Sequence, residues 1–239
     1  VTTIQATPPA PITADVLLGD LVAEVPSRAN VFDHVRMSYS TGGKRTLAQA
    51  AADHELDVDE LIRAVEAHDR EGELNAMDWS RVPPSRLVDQ LDREHTTFMG
   101  ELYLPAQGVL ERISLREGPN HDALVPLCDR FTALENTFVN HFDDEEHGIF
   151  MACRGVDEDG LGSPELASID ISQVAADHVA IVAELDEIRE IIESMEIDED
   201  GSEDWKQFQL AFASMERALR RHMHCEEYIL PRSVALANA

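Results

Sequence analysis

Two short segments of this chain place a histidine four residues before a glutamate that a second glutamate follows. They are His141-Phe142-Asp143-Asp144-Glu145-Glu146 and His222-Met223-His224-Cys225-Glu226-Glu227. Residues i and i+4 share one face of an α-helix, so each segment aims an imidazole and a carboxylate the same way. Upstream of each, another histidine follows an acid, in Glu94-His95 and Asp177-His178, 46 and 44 residues before its partner histidine. That separation suits a helical hairpin. Two hairpins would bring together His95, His141, Glu145, His178, His222 and Glu226 as a symmetric site for two metal ions. Six nitrogen and oxygen ligands without a thiolate suit iron, with manganese the weaker alternative, better than structural zinc. Two carboxylates bridge the ions and two histidines complete each side, which leaves an open position for a diatomic gas or peroxide. The chemistry expected is redox or gas chemistry.

Spacing alone decides little. With ten histidines and 47 acids in 239 residues, about two His-x-x-x-acid pairs arise by chance, and the chain has two. The weight comes from phase, because both pairs continue apolar stripes and therefore face a core. A buried carboxylate is costly unless it is paired or bound to a metal. For one pair, a plain His–Glu hydrogen bond in a helical core is the better reading; convergence of four histidines and two glutamates favours metal. Glu146 and Glu227, rotated by ~100° from the ligand face, are expected against solvent or a neighbouring helix, and Glu146→Ala is expected to leave iron content near normal. His147 and His224 lie off phase or one turn away, His34, His54 and His68 fall in the first region, and His121 starts a helix. Of these, His224 is the one expected to support the site.

The elements that must carry these residues are helical throughout. A small helical region spans 13–70 after a tail at 1–12. Pro26 and Ser27 start a helix, Ser40 to Gly43 make a turn, Thr46 caps a helix from Leu47 to His54, and a last helix runs from Leu56 through Val65. A polar linker covers 71–82. Four long helices then fill 83–236. Their stripes are Leu87, Leu91, His95, Phe98 and Leu102; then Leu127, Phe131, Leu134, Phe138, His141 and Glu145. The third has His178, Ile181, Leu185, Ile188 and Ile192, and the fourth Phe208, Phe212, Met215, Leu219, His222 and Glu226. Pro105 is expected to kink or interrupt the first helix and Pro231 to end the fourth. Short polar connections, Gly155 to Pro164 and Glu196 to Ser202, favour antiparallel neighbours. The fold expected is an all-α, up-down four-helix bundle preceded by a small helical domain.

Composition excludes several classes. The net charge is −28, and Lys44 and Lys206 are the only lysines. So acidic a surface repels nucleic acid and anionic membranes. Thr46 to Glu66 has a helix–turn–helix outline, but Lys44 to Arg70 holds four bases against seven acids, without the basic face that phosphate contact needs. No apolar run approaches the ~18 residues of a membrane span, and the N-terminus lacks the basic and apolar parts of a secretory signal; a cytoplasmic location is expected. Cys128, Cys153 and Cys225 are odd in number and lack CxxC spacing, so they read as buried small apolar residues.

At the two His-x-x-x-Glu segments the chain resembles the haemerythrin-like di-iron proteins, and in particular the repair of iron centres family. His222-x-x-x-Glu226 followed by Ile229-Leu230-Pro231-Arg232 carries the likeness, with His95 and His178 at the other two ligand positions and Pro105 in the first helix. Leu18-Gly19-Asp20-Leu21-Val22 and Gly42-Gly43-Lys44-Arg45-Thr46-Leu47 resemble the small domain that precedes the bundle there. The resemblance implies two non-haem iron ions, oxo- or hydroxo-bridged. It also implies a role in recovery from nitrosative or oxidative stress, by repair of iron–sulfur clusters, by reduction of nitric oxide, or by both. The family's small domain carries adjacent cysteines before the Gly-Gly-Lys turn, where this chain has Ser40-Thr41. A hydroxyl does not replace a thiolate in redox or soft-metal chemistry. The alternative expectation is therefore a non-catalytic protein that binds or senses oxygen or nitric oxide. Partners expected are small gases or peroxide and damaged iron–sulfur proteins, and the sequence leaves a homodimer open.

Overall fold

The computed structural model describes residues 11–71, 82–118, 121–159, 171–195 and 202–237. The tail at 1–10, most of the linker and the second half of the loop expected at Gly155 to Pro164 lie outside them, whereas the first half of that loop, to Asp159, is helical. The described residues are helical, and their one isolated bridge is antiparallel, between Leu17 and Thr46. The expectation of an all-α protein is met.

The chain divides into two compact units, one of residues 1–83 with 223–237 and one of 84–222. The first unit contains α1 (Leu18–Glu24), a 3₁₀ turn (Pro26–Arg28), α2 (Ala29–His34), α3 (Leu47–Asp53) and α4 (Val58–Glu71). Thr46 caps α3 as expected: its hydroxyl accepts from Gln49 N while Gln49 returns a bond to Thr46 N, which satisfies two otherwise open backbone donors. Helix α4 continues six residues past the expected Val65. The core of these helices is Leu18, Leu21, Phe32, Met37, Tyr39, Leu47, Leu61 and Val65. Into it reaches the guanidinium of Arg28, fully buried, which donates to both carboxylate oxygens of Asp69, to Glu24 and to the Leu21 carbonyl. Arg28 thus ties α1 and the 3₁₀ turn to the end of α4.

The second unit is built on the four long helices, arranged as the up-down bundle expected. The first bundle helix is α5 (Pro84–Thr97), a π-helical stretch Phe98–Tyr103 and α6 (Leu104–Glu117). The second is α7 (Leu124–Glu145), a π stretch Glu146–Phe150 and α8 (Met151–Asp159). The third is α9 (Ile171–Ser194). The fourth is α10 (Ser202–His224), a π stretch Cys225–Ile229 and α11 (Leu230–Ala237), and its last turns belong to the first unit. Aromatic rings fill the bundle core: Phe98, Tyr103, Phe131, Phe138, Phe142, Phe150, Phe208 and Phe212 are all buried.

The π stretches account for three departures from the apolar pattern. An i→i+5 turn holds one residue more than an α-turn and so advances the phase of everything after it. Tyr103, not the expected Leu102, is buried in the first bundle helix. Pro105 and Pro231 do not end their helices. Each is the second residue after a π stretch, and the residue before it bonds five back, Leu104 N–H to Met99 O and Leu230 N–H to Cys225 O. The wider turn moves the carbonyls that a proline ring in an α-helix would strike.

Candidate metal centre

Each of the six candidate ligands lies on a bundle helix and is almost completely buried. His95 is near the end of α5, His141 and Glu145 close α7, His178 lies in α9, and His222 lies near the end of α10. Glu226 follows one turn after His222 in the same unbroken helix. The ligand atoms of His95, Glu145, His222 and Glu226 lie within 4.8 Å of one another, and so do those of His141, Glu145, His178 and Glu226. The structure therefore brings all six together, as two histidine pairs that share both glutamates.

Glu145 shows how the sharing works. Its Oε2 stands 3.3 Å from His95 Nε2, while its Oε1 stands 3.2 Å from His141 Nε2 and 3.5 Å from His178 Nε2. One oxygen addresses each side. Although three imidazole nitrogens surround the carboxylate, neither oxygen accepts a hydrogen bond among the described residues. A buried carboxylate in that condition bears the full cost of desolvation. Imidazole nitrogens within 3.5 Å of a carboxylate to which they make no hydrogen bond are what ligands around a cation show. The residues present could hold metal, in two groups that share both glutamates, and their imidazole and carboxylate donors are compatible with iron.

Packing fixes the rings. His95 is stacked between Phe142, at 4.0 Å and 13°, and Phe150, at 5.3 Å and 19°. His141 meets His178 edge-on at 4.9 Å and 80°. The π stretches fall here too: one begins three residues after His95, one directly after Glu145, and one contains Glu226. Each ligand helix except α9 widens where it carries its ligands, a known habit of π-turns at functional sites.

Two acids that the sequence left aside touch this constellation. Glu146 Oε1 accepts from His95 Nδ1 at 2.8 Å, and Glu94 Oε2 accepts from His222 Nδ1 at 3.2 Å. Glu146 does face a neighbouring helix, as expected. The signal available for Glu94 was its place beside His95, which is not the histidine it touches.

His224 is buried, and its contacts lie within the first unit. Its Nε2 donates to the Gly19 carbonyl at 2.9 Å, and its ring stacks on Tyr228 and meets Tyr39 edge-on. Burial pushes its pKa down to about 4, against the opposing pull of the Gly19 carbonyl. Tyr228 in turn lies so close to Gly19 and Gly43 that a Cβ at either would collide with its ring or hydroxyl. Ser40 is fully buried, and Thr41 Oγ1 lies 2.9 Å from Ser38 Oγ. His147 is exposed, its Nδ1 donating to the Asp143 carbonyl. Of the cysteines only Cys153 is buried; Cys128 and Cys225 are partly exposed, a correction to the expectation for all three.

A family model described as the hemerythrin HHE cation binding domain matches residues 86–234, and a domain of unknown function, DUF542, matches 14–69. The chain belongs to the haemerythrin-like repair of iron centres family. Similar proteins include the iron-sulfur cluster repair protein YtfE of Salmonella schwarzengrund (strain CVM19633), 29% identical over 229 residues, 92% of this chain and 97% of the relative. Proteins of the same name from Salmonella newport (strain SL254) and Salmonella agona (strain SL483) are 30% identical over the same shares. Both His/Glu groups lie within the residues that the cation-binding domain model matches. Among the described residues no helix is long and apolar enough to cross a membrane.

Proposed function

We propose that this protein holds two non-haem iron ions between His95, His141, Glu145, His178, His222 and Glu226 and serves recovery from nitrosative or oxidative damage. The observation that carries the reading is the Glu145 carboxylate, buried, unbonded and addressed from both sides by imidazoles. The name shared by the relatives supports repair of iron–sulfur clusters as the task, with damaged iron–sulfur proteins in the cytoplasm as clients. Reduction of nitric oxide at the same site is the second activity we assign. The bound ions would supply one-electron redox chemistry and a position for a small gas or peroxide.

The protein's own part is positional. Glu145 and Glu226, the members common to both groups, set the distance between the two positions. Phe142 and Phe150 hold the His95 plane and exclude water from its faces, which strengthens every charge interaction inside. A homodimer is not needed to complete the set, since one chain supplies all six residues. We place the domain limits at 13–70 and 83–236, with 71–82 between them; the matches at 14–69 and 86–234 support that division.

Ser40 and Thr41 favour a second reading, a gas carrier or sensor. Neither residue supplies a thiol for handing iron or electrons onward. The two readings part on one experiment: the reduced, iron-loaded protein is exposed to nitric oxide under anaerobic conditions. Continuous nitrous oxide formation supports turnover. A stable adduct without product supports binding alone.

A further inference from the structure

His95 Nε2 and His222 Nε2 lie 2.9 Å apart, inside the group that also holds Glu145 and Glu226. The opposite nitrogen of each ring is already committed, His95 Nδ1 to Glu146 at 2.8 Å and His222 Nδ1 to Glu94 at 3.2 Å. An ionised carboxylate only accepts, so both Nδ1 atoms carry the proton and both Nε2 atoms present lone pairs. Two lone pairs facing at that distance repel, and a cation among the four donors turns the repulsion into shared ligation.

We propose that Glu94 and Glu146 are positioning residues for one of the two metal ions, each fixing the tautomer and plane of a ligand histidine on another helix. The inference rests on the di-metal reading above. Its logic is the carboxylate–histidine–metal relay, in which the outer hydrogen bond orients the ring and raises its basicity. The arrangement is crossed. Glu94 is the sequence neighbour of His95 yet backs His222, and Glu146 is the neighbour of Glu145 yet backs His95. Three bundle helices are thereby joined through the outer contacts of a single metal position. Both acids keep about a third or more of their side chains exposed, 42% for Glu94 and 36% for Glu146. Changing them therefore leaves the buried core intact.

The test uses the full chain, stripped of metal and reloaded anaerobically with ferrous iron, in wild type and in Glu94→Gln, Glu94→Leu, Glu146→Gln and Glu146→Leu. Iron per chain and competition with a ferrous chelator give affinity at each position, and Mössbauer spectra of the loaded proteins give one signature per ion. The expected result is a loss of about 10–100-fold in affinity for one ion. The Leu variants should lose more than the Gln variants, which keep an acceptor oxygen. One of two ferrous signals should shift while the other holds. Two ions bound with wild-type affinity and unchanged spectra in both Leu variants would overturn the proposal while leaving the di-metal reading in place. Failure of the wild type itself to take up two ions would overturn both.

Discussion

Tyr103 donates its hydroxyl to the Phe131 carbonyl at 2.6 Å, and its ring lies parallel to that of Phe131 at 5.1 Å and 6°. One residue thus joins the first and second bundle helices by a polar and an apolar contact, at the place where the π stretch advances the helical phase. Removing the hydroxyl in Tyr103→Phe strands no charge, so the cost should be about 1 kcal/mol, read from urea denaturation. A much larger loss would mean that the ring stacking depends on the bond.

The same phenol gives a pH dependence. Burial, reinforced by Glu135, raises the Tyr103 pKa well above the ordinary value. A phenol whose folded value is raised contributes stability that is complete below the unfolded pKa of about 10 and is lost as pH climbs above it. Tyr103 should ionise only as the bundle opens, and Tyr228, pushed up to about 12 by burial, should also ionise late. Phenolate absorbance measured alongside circular dichroism checks this; Tyr103→Phe should reduce the late step by one phenol.

Arg28 should be among the most sensitive residues of the first unit. Its guanidinium is fully buried and Asp69 keeps 13% of its side chain exposed. Truncation in Arg28→Ala leaves that carboxylate without its cation, at a cost of about 3–5 kcal/mol. Arg28→Lys should recover only part of this, since a single ammonium does not reproduce the forked contact with both oxygens. Thermal unfolding of the full chain reads the difference.

Arg36 and Glu55 have φ of 55° and end α2 and α3, with Met37 N bonding Phe32 O and Leu56 N bonding Ala51 O behind them. This helix-terminating turn prefers glycine because a Cβ is strained there. Both side chains are exposed. Arg36→Gly and Glu55→Gly should each stabilise by about 0.5–1 kcal/mol, whereas glycine elsewhere in these helices should destabilise. Urea denaturation of each variant checks the sign.

Much of the architecture was legible because helices announce themselves by period. The stripes from Leu127 to Glu145, from His178 to Ile192 and from Phe208 to Glu226 are buried as read, and Thr46 caps its helix as read. The six candidate ligands were legible for the same reason, since they continue those stripes. What stayed hidden depends on backbone geometry that no stripe encodes. A π stretch adds one residue per turn, so Leu102 gave way to Tyr103, and Pro105 and Pro231 lie within helices that were expected to break. Glu146 and Glu94 were hidden for another reason: each acts across helices, on a histidine of a helix other than its own. The expectation that Glu146→Ala spares iron content therefore gives way to a predicted loss at one position.

Iron should also stabilise the fold, since an unfolded chain does not preserve the site. At a free concentration 100 times Kd the gain is about 2.7 kcal/mol for each independent ion. Chelation should lower the melting temperature of wild type, and the shift should vanish in Glu145→Ala.

The most direct measurement is metal content per chain, by elemental analysis of protein purified without added metal and again after anaerobic reconstitution with ferrous iron. Wild type should hold about two irons per chain, with a sharp loss in Glu145→Ala and Glu226→Ala. Less than one metal per chain after reconstitution would contradict this, and the buried histidines and glutamates would then be a hydrogen-bonded core without a metal.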